Sequence, residues 1–210
     1  MAKLRISYNA PVVLTFALLA VVVFLLPLDT RAHWFTTHGN LHETADYVTL
    51  VSHILGHQSW DHLLGNFMLI LLIGPILEER YGSLQLLVMI LATALITGIV
   101  NVLLGDTTLG ASGIAFMMIL LASTANIRQG AIPLTFIAVA VIYLGGEIVR
   151  GVSQDDNISQ LSHIVGGISG AVFGFLSARA RHTDTSIKPS SIKQILPTST
   201  APTPAKKPVA

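Results

Sequence analysis

The sequence predicts an all-α membrane protein, a bundle of six transmembrane helices. Two observations carry that expectation. Of 210 residues, 52% are apolar and only 11% are charged, against about a quarter charged in soluble domains, and the mean hydropathy is +0.69. The few charges are also bunched. They leave uncharged runs between Arg5 and Asp29, Asp61 and Glu78, Arg80 and Asp106, Asp106 and Arg128, Arg128 and Glu147, and Asp156 and Arg179. In lipid every backbone polar group must be satisfied within the chain, so only helices and closed barrels cross. These runs are too long and too little alternating for barrel strands.

The first run, Ile6 to Leu28, follows Lys3 and Arg5 as a signal peptide would. No small-residue cleavage site ends it, and it is long enough to cross a bilayer, so it reads as a retained span. The connector from Asp29 to Asp61 is long, and long ordered loops are usually functional. Within it "ADYVTLVSHIL" places Tyr47, Val48, Leu50, Val51, Ile54 and Leu55 at helical spacing, which predicts an amphipathic helix at the membrane interface. The second run is the shortest and contains His62 and Asn66, so that helix should be partly sheltered by protein. The fourth opens on "TTLGASGIAF" and the sixth contains "QLSHIVGGISGAVFGF". From His182 onward the chain is rich in Pro, Ser, Thr and Lys, the composition of a disordered extension. The expected organisation is a six-span domain over residues 1–181 and a cytoplasmic tail over 182–210.

Lys and Arg set the orientation. With the N-terminus inside, the inner side carries Lys3, Arg5, Arg80, Arg128, Arg179, Arg181 and the tail lysines, and the outer side only Arg31 and Arg150. Acids gather outside: Asp29, Glu43, Asp46, Asp61, Asp106, Asp155 and Asp156. The expectation is a multi-pass protein of a bacterial plasma membrane with both termini cytoplasmic.

The chain has no cysteine, which excludes disulfides, thiolate metal sites and a cysteine nucleophile. A net charge of +1 gives no reason to expect a nucleic-acid partner. Ser, Thr, His and the carboxylates remain. Ser112 lies between Gly110 and Gly113 at the outer start of the fourth run. Alone, that tetrapeptide suits close helix packing as well as chemistry. His163 adds weight, because an intramembrane histidine is expensive and faces the bundle or water. Gly166, Gly167, Gly170 and Gly174 follow it at helical spacing. That stripe lets the sixth helix press on a neighbour, and the fourth is the natural partner. Ser112 and His163 would then meet at one depth, and a Ser–His pair is the minimal activated nucleophile. His62 and Asn66, four residues apart, share a face and are suitable donors to an oxyanion. An interhelical packing bond is the plainer reading of that pair. A metal cluster of His53, His57 and His62 is a rival, but their spacing is not a recognised zinc pattern, so no metal is expected.

Taken together, "HQSWDHLLGN" (57–66), "EERYG" (78–82), "GASG" (110–113) and "HIVGG" (163–167) resemble, in this order and spacing, the rhomboid family of intramembrane serine proteases. The resemblance covers roughly residues 45 to 178 and implies a rhomboid-like six-helix bundle. It implies a Ser–His dyad without an acid member, Ser112 as nucleophile and His163 as general base. His62 and Asn66 match the oxyanion-hole side chains, helped by the Ser112 backbone N–H. Phe116 stands where the family often has a Tyr stacked on the base: the ring is kept and the hydroxyl lost. His57 matches a position that braces the outer loop, and Glu78 and Arg80 match an inner polar anchor. Gly110 and Gly113 support the nucleophile. Two positions depart from the family. Its frequent Trp-Arg pair in the outer loop corresponds here to "YVTLV", and the Ala before the base is Ser162. The implied activity is cleavage of transmembrane protein substrates near the outer leaflet, within the lipid bilayer and with no cofactor. The alternative is a catalytically inactive rhomboid-like protein that binds membrane clients. Having both Ser112 and His163 argues against it. A transporter using buried histidines as a relay would need charges deep in the bundle, and the runs hold almost none.

Overall fold

In a computed structural model of the chain, the structure describes residues 8–124, 132, 134–139, 141, 142, 145 and 160–185, the last helix with side chains through 177. The described elements are all helical: α1 (Pro11–Phe24), α2 (Leu28–Phe35), α3 (Thr44–Ser52), a 3-10 turn (His53–Leu55), α4 (Trp60–Tyr81), α5 (Ser83–Leu103), α6 (Ser112–Ser123) and α7 (Gln160–Thr185).

Three of them, α4, α5 and the first 18 residues of α7, are long and apolar enough to cross a membrane. Of the six expected spans, the first and fourth appear as shorter apolar helices of 14 and 12 residues. The fifth falls largely outside the described residues, where 134–139 are helical. The shortening has local causes. Pro11 stands at the first turn of α1, where a missing N–H costs nothing. The next two N–H groups, of Val12 and Val13, each donate to a carboxylate oxygen of Glu78 at 3.0 Å. Glu78, buried near the end of α4, thus caps α1 and ties its N-terminal end to the bundle. In the fourth run, residues 107–111 are not helical, because their backbone is held by the outer loop. That delay starts α6 at Ser112, within the apolar run instead of at its edge.

α4 opens with Ser59, whose hydroxyl accepts the His62 N–H at 3.1 Å. It closes on Gly82, whose φ of +84° turns the chain straight into α5, a conformation that suits glycine. α6 is apolar all round and buried over Gly113–Ala115 and Met117–Leu121, as expected of a central helix. Val13, Phe16, Phe67, Ile70, Leu86, Ile114, Met117 and Met118 form the core around it. Leu18, Leu64, Met68, Leu72, Ile76, Leu84 and Val88 are exposed, which suits contact with lipid.

The amphipathic helix expected between Asp29 and Asp61 forms as α3. Its buried residues are Ala45, Asp46 and Thr49, while Tyr47 and Val48 are exposed. The small and polar face packs on protein, and of the apolar set Val51, Ile54 and Leu55 pack on the core. Asp46 accepts the N–H groups of His42 and Glu43 at 2.8 Å. Those bonds hold its carboxyl below the usual carboxylate range. α3 lies directly on α5 at Gly98, where a Cβ would stand 2.8 Å from Leu50 Cα.

Candidate active site

Ser112 is the first residue of α6, and the chain reaches it through Gly110 at φ +126°, a conformation that strains any L residue with a Cβ. Gly110 also leaves room for a neighbour: a Cβ there would stand 2.8 Å from both Cε1 and Nε2 of His62. The tip of His62 therefore rests on the turn just ahead of Ser112. Asn66, one turn further along α4, is buried, and its Nδ2 is 3.7 Å from the same Cβ position. The N–H groups in the first turn of α6 have no carbonyl to meet inside the helix and carry the positive end of its dipole. An anion beside Ser112 would be met by those N–H groups, His62 and Asn66.

α7 approaches from the opposite side, and glycines set the distance. A Cβ on Gly166 would lie 2.8 Å from Gly113 C, one on Gly170 2.8 Å from Met117 C, and one on Gly174 2.5 Å from Thr124 Cβ. At the outer end, a Cβ on Gly113 would stand 3.1 Å from the Ser162 carbonyl oxygen. The backbones at Gly113 and Ser162 are thus close, each one residue from Ser112 and His163 respectively. His163 is buried and stacks on Phe116, centroids 4.6 Å apart and planes 3° from parallel. Since Phe116 is one turn along α6 from Ser112, the imidazole lies on the helix that Ser112 opens. The rings of His62 and His163 are also near enough to interact electrostatically.

His57 connects loop, α4 and α6. Its Nε2 accepts the Ala111 N–H at 3.4 Å, and the Asn66 Nδ2 donates to it at 3.2 Å. A backbone N–H can only donate, so Nε2 is unprotonated and Nδ1 carries the proton, donated to Leu55 O at 3.2 Å. Burial pushes this histidine down to about 4, which keeps it neutral and able to accept. The Arg31 guanidinium donates to His57 O at 2.9 Å and lies over the Phe24 ring at 4.8 Å. Arg31, with no place in the expected site, thus helps to anchor the outer loop.

The three histidines of the metal reading do not share one centre. The His57 and His62 rings are 5.1 Å apart. His53 instead donates from Nδ1 to Thr49 O at 3.0 Å and presents Nε2 to the Thr97 hydroxyl at 3.3 Å. Among the described residues no group of three His, Cys or acidic side chains is arranged to hold a metal ion. An apolar groove of 620 Å³ lies elsewhere, between α1, α3 and α5, where Phe16, Val51 and Leu87 contribute to its walls. Ser112 and His163 do not line it.

The sequence reading singles out none of Thr37, Thr97, Asn101 or Thr108, and the structure uses all four. Thr37 and Thr108 pair reciprocally: Thr37 N–H to Thr108 O at 2.9 Å and Thr108 N–H to the Thr37 hydroxyl at 2.9 Å. With Gly110 N–H to His53 O at 2.9 Å, these bonds clamp residues 108–111 against the outer loop. Thr97 and Asn101 were legible by the same signal as His62 and Asn66, polar residues four apart in an apolar run.

Comparison with known proteins bears on this arrangement. The Rhomboid domain family model matches residues 44–180, a span that includes α3 through most of α7. Over 135 residues the chain is 25% identical to "Rhomboid protease GlpG" of Haemophilus influenzae, covering 62% of this chain and 70% of that protein. The match runs over well more than half of the chain, and its apolar helices are those of an integral membrane protein: the chain belongs to the rhomboid family.

Proposed function

We propose that this protein is an intramembrane serine endopeptidase in which Ser112 is the nucleophile and His163 the general base. The carrying observation is the stack of His163 on Phe116, one turn from Ser112, across a helix pair held close by Gly113 and Gly166. His163 takes the hydroxyl proton as Ser112 Oγ bonds to the scissile carbonyl carbon. The oxyanion so formed is met by His62, Asn66 and the backbone N–H groups at the head of α6. Collapse breaks the C–N bond, and the leaving amine takes the proton from the imidazolium. Water then gives its proton to His163 and cleaves the acyl ester, which restores the serine hydroxyl. No acid member is required.

The substrates are membrane proteins cut near the outer end of a transmembrane segment, with a small residue before the cut and a helix that unwinds easily. The topology that goes with this has six spans over residues 1–181, residues 182–210 as a cytoplasmic tail, and both termini in the cytoplasm of a bacterial cell. The Lys/Arg distribution supports that orientation.

The test is cleavage of a model single-pass substrate by purified protein in detergent. Wild type should cleave and should label with a fluorophosphonate. Ser112→Ala and His163→Ala should do neither, and their effects should not add because the two act as a unit. Full turnover in either variant ends the dyad assignment. A wild-type protein that folds and binds substrates but never cleaves them is the inactive, client-binding reading.

A further inference from the structure

We propose that Asn101 and Ser162 form a positioning pair that fixes where His163 stands relative to Ser112. The proposal rests on the protease reading above and adds residues that neither touch the substrate nor move its protons.

Asn101 is fully buried on α5, and both N–H groups of its amide are used. One is donated to Thr97 O at 2.7 Å, a bond back to its own helix, and the other to the Ser162 hydroxyl at 2.7 Å. Two short bonds from one planar group fix its plane and its reach. Thr97 is itself fixed, since its hydroxyl lies 2.9 Å from the carbonyls of Thr93 and Ala94 and 3.3 Å from His53 Nε2. His53 in turn accepts the Gly110 N–H on its carbonyl. A continuous polar path therefore runs from Gly110, two residues before Ser112, through His53, Thr97 and Asn101 to Ser162, one residue before His163. It joins the two halves of the dyad by a route that avoids the α6–α7 contact.

The direct contact between the helices is mostly apolar and non-directional. Gly113 against Gly166 brings the backbones together, but glycine surfaces are smooth and offer no interlocking side chain to set the register of one helix along the other. Phe116 fixes the plane of the imidazole and has no polar atom to stop the ring from sliding or turning within that plane. A hydrogen bond to the neighbouring residue adds a directional constraint at this end of α7. Ser162 is the side chain placed to receive it, because it and His163 are both buried at the outer end of α7.

The experiment compares wild type, Ser162→Ala, Asn101→Ala and the double variant Asn101→Leu/Ser162→Ala on the model substrate. Each single variant should lose roughly ten- to a hundredfold in kcat, the scale of a displaced catalytic group, with KM within about twofold. The double variant should fall no further than the worse single one. It also leaves no buried amide without a partner, so it serves where a single variant folds poorly. In parallel, the ring nitrogens of His163 are followed by NMR in histidine-labelled protein, assigned with His163→Ala. Their resonances should move or broaden in Ser162→Ala. Unchanged kcat with unmoved resonances overturns the pair, and so does a lowered melting temperature with neither readout altered, since that is a packing role. If wild type cleaves nothing while the His163 resonances still move in Ser162→Ala, the protease reading falls and the positioning pair stands.

Discussion

The imidazole of His163 lies flat on the ring of Phe116, 4.6 Å between centroids and 3° from parallel. The stack spans two helices, so it reports how α7 seats on α6 as well as how the base is held. If orientation of the ring matters to proton transfer, removing the face should cost turnover while keeping the volume. Phe116→Leu should lower kcat by about three- to tenfold, the rate equivalent of an aromatic pair's ~0.5–1.5 kcal/mol. Phe116→Tyr should retain activity. Wild-type kcat in the Leu variant would mean that the contact is packing only.

Close approach of α6 and α7 makes a second prediction, with its control on α4. A Cβ on Gly166 meets backbone atoms of Gly113, which cannot move aside as a flexible side chain would. Gly166→Ala should destabilise the protein by about 1–3 kcal/mol and depress turnover by separating the dyad. Gly65, exposed on α4, has nothing within 4 Å of its Cβ position. Gly65→Ala should be neutral or stabilising by up to about 1 kcal/mol. Unfolding titrations in mixed micelles measure both, and equal behaviour of the two variants would sink the close-contact account.

These two sites also show what could be read from the chain. Ser112, His163 and the glycines stand out because each is costly or purposeless in a lipid-facing helix, and a residue in that position must answer to another part of the protein. The same logic finds His62 and Asn66. It does not say where a helix begins. The fourth run looks uniform from Asp106 onward, yet 107–111 stay out of the helix because Thr37, His53 and His57 occupy backbone groups there. Those partners lie more than fifty residues away, and no local pattern encodes them. The apolar spacing over residues 47–55 gives the loop helix, but which of those side chains meet the core and which stay exposed depends on the elements packed beneath it.

Two buried histidines in that loop give a pH prediction. Burial pushes His53 and His57 down to about 4, from 6.5 for an ordinary histidine. Between about 6.5 and 4 the unfolded chain therefore binds more protons than the folded one. Unfolding free energy should fall as pH drops through that window and level off below it. Each histidine contributes on the order of 3 kcal/mol across it. Asp46, also held low, acts in a separate range: its stabilisation is present above 3.8 and is lost only as pH falls below that value. Unfolding midpoints measured from pH 7 to pH 4 check the point. A flat profile over that range would mean that neither ring is held neutral by the fold.

Asn66 separates bracing from chemistry. Its amide carries two N–H groups, and donation of one to His57 Nε2 at 3.2 Å sets the plane in which the other points. It also lies beside the Gly110 turn that leads into Ser112. If the amide stabilises an oxyanion there, Asn66→Ala should lower kcat and leave KM nearly unchanged, since the negative charge exists only after attack. Losing one such donor costs about a hundredfold or more elsewhere. With His62 and the α6 backbone still present, roughly ten- to a hundredfold is expected here. Asn66→Asp should be worse than Asn66→Ala, because it keeps the shape and turns a donor toward the oxyanion into a like charge. A purely bracing role predicts another pattern. Asn66→Ala would then lose stability through the weakened hold on His57 while keeping wild-type kcat per folded molecule, and Asn66→Asp, which sets a carboxylate against the same ring nitrogen, would lose more stability with kcat again kept. Steady-state kinetics and unfolding titrations on the same two preparations distinguish the cases, and unchanged kcat in Asn66→Ala removes the side chain from the oxyanion hole.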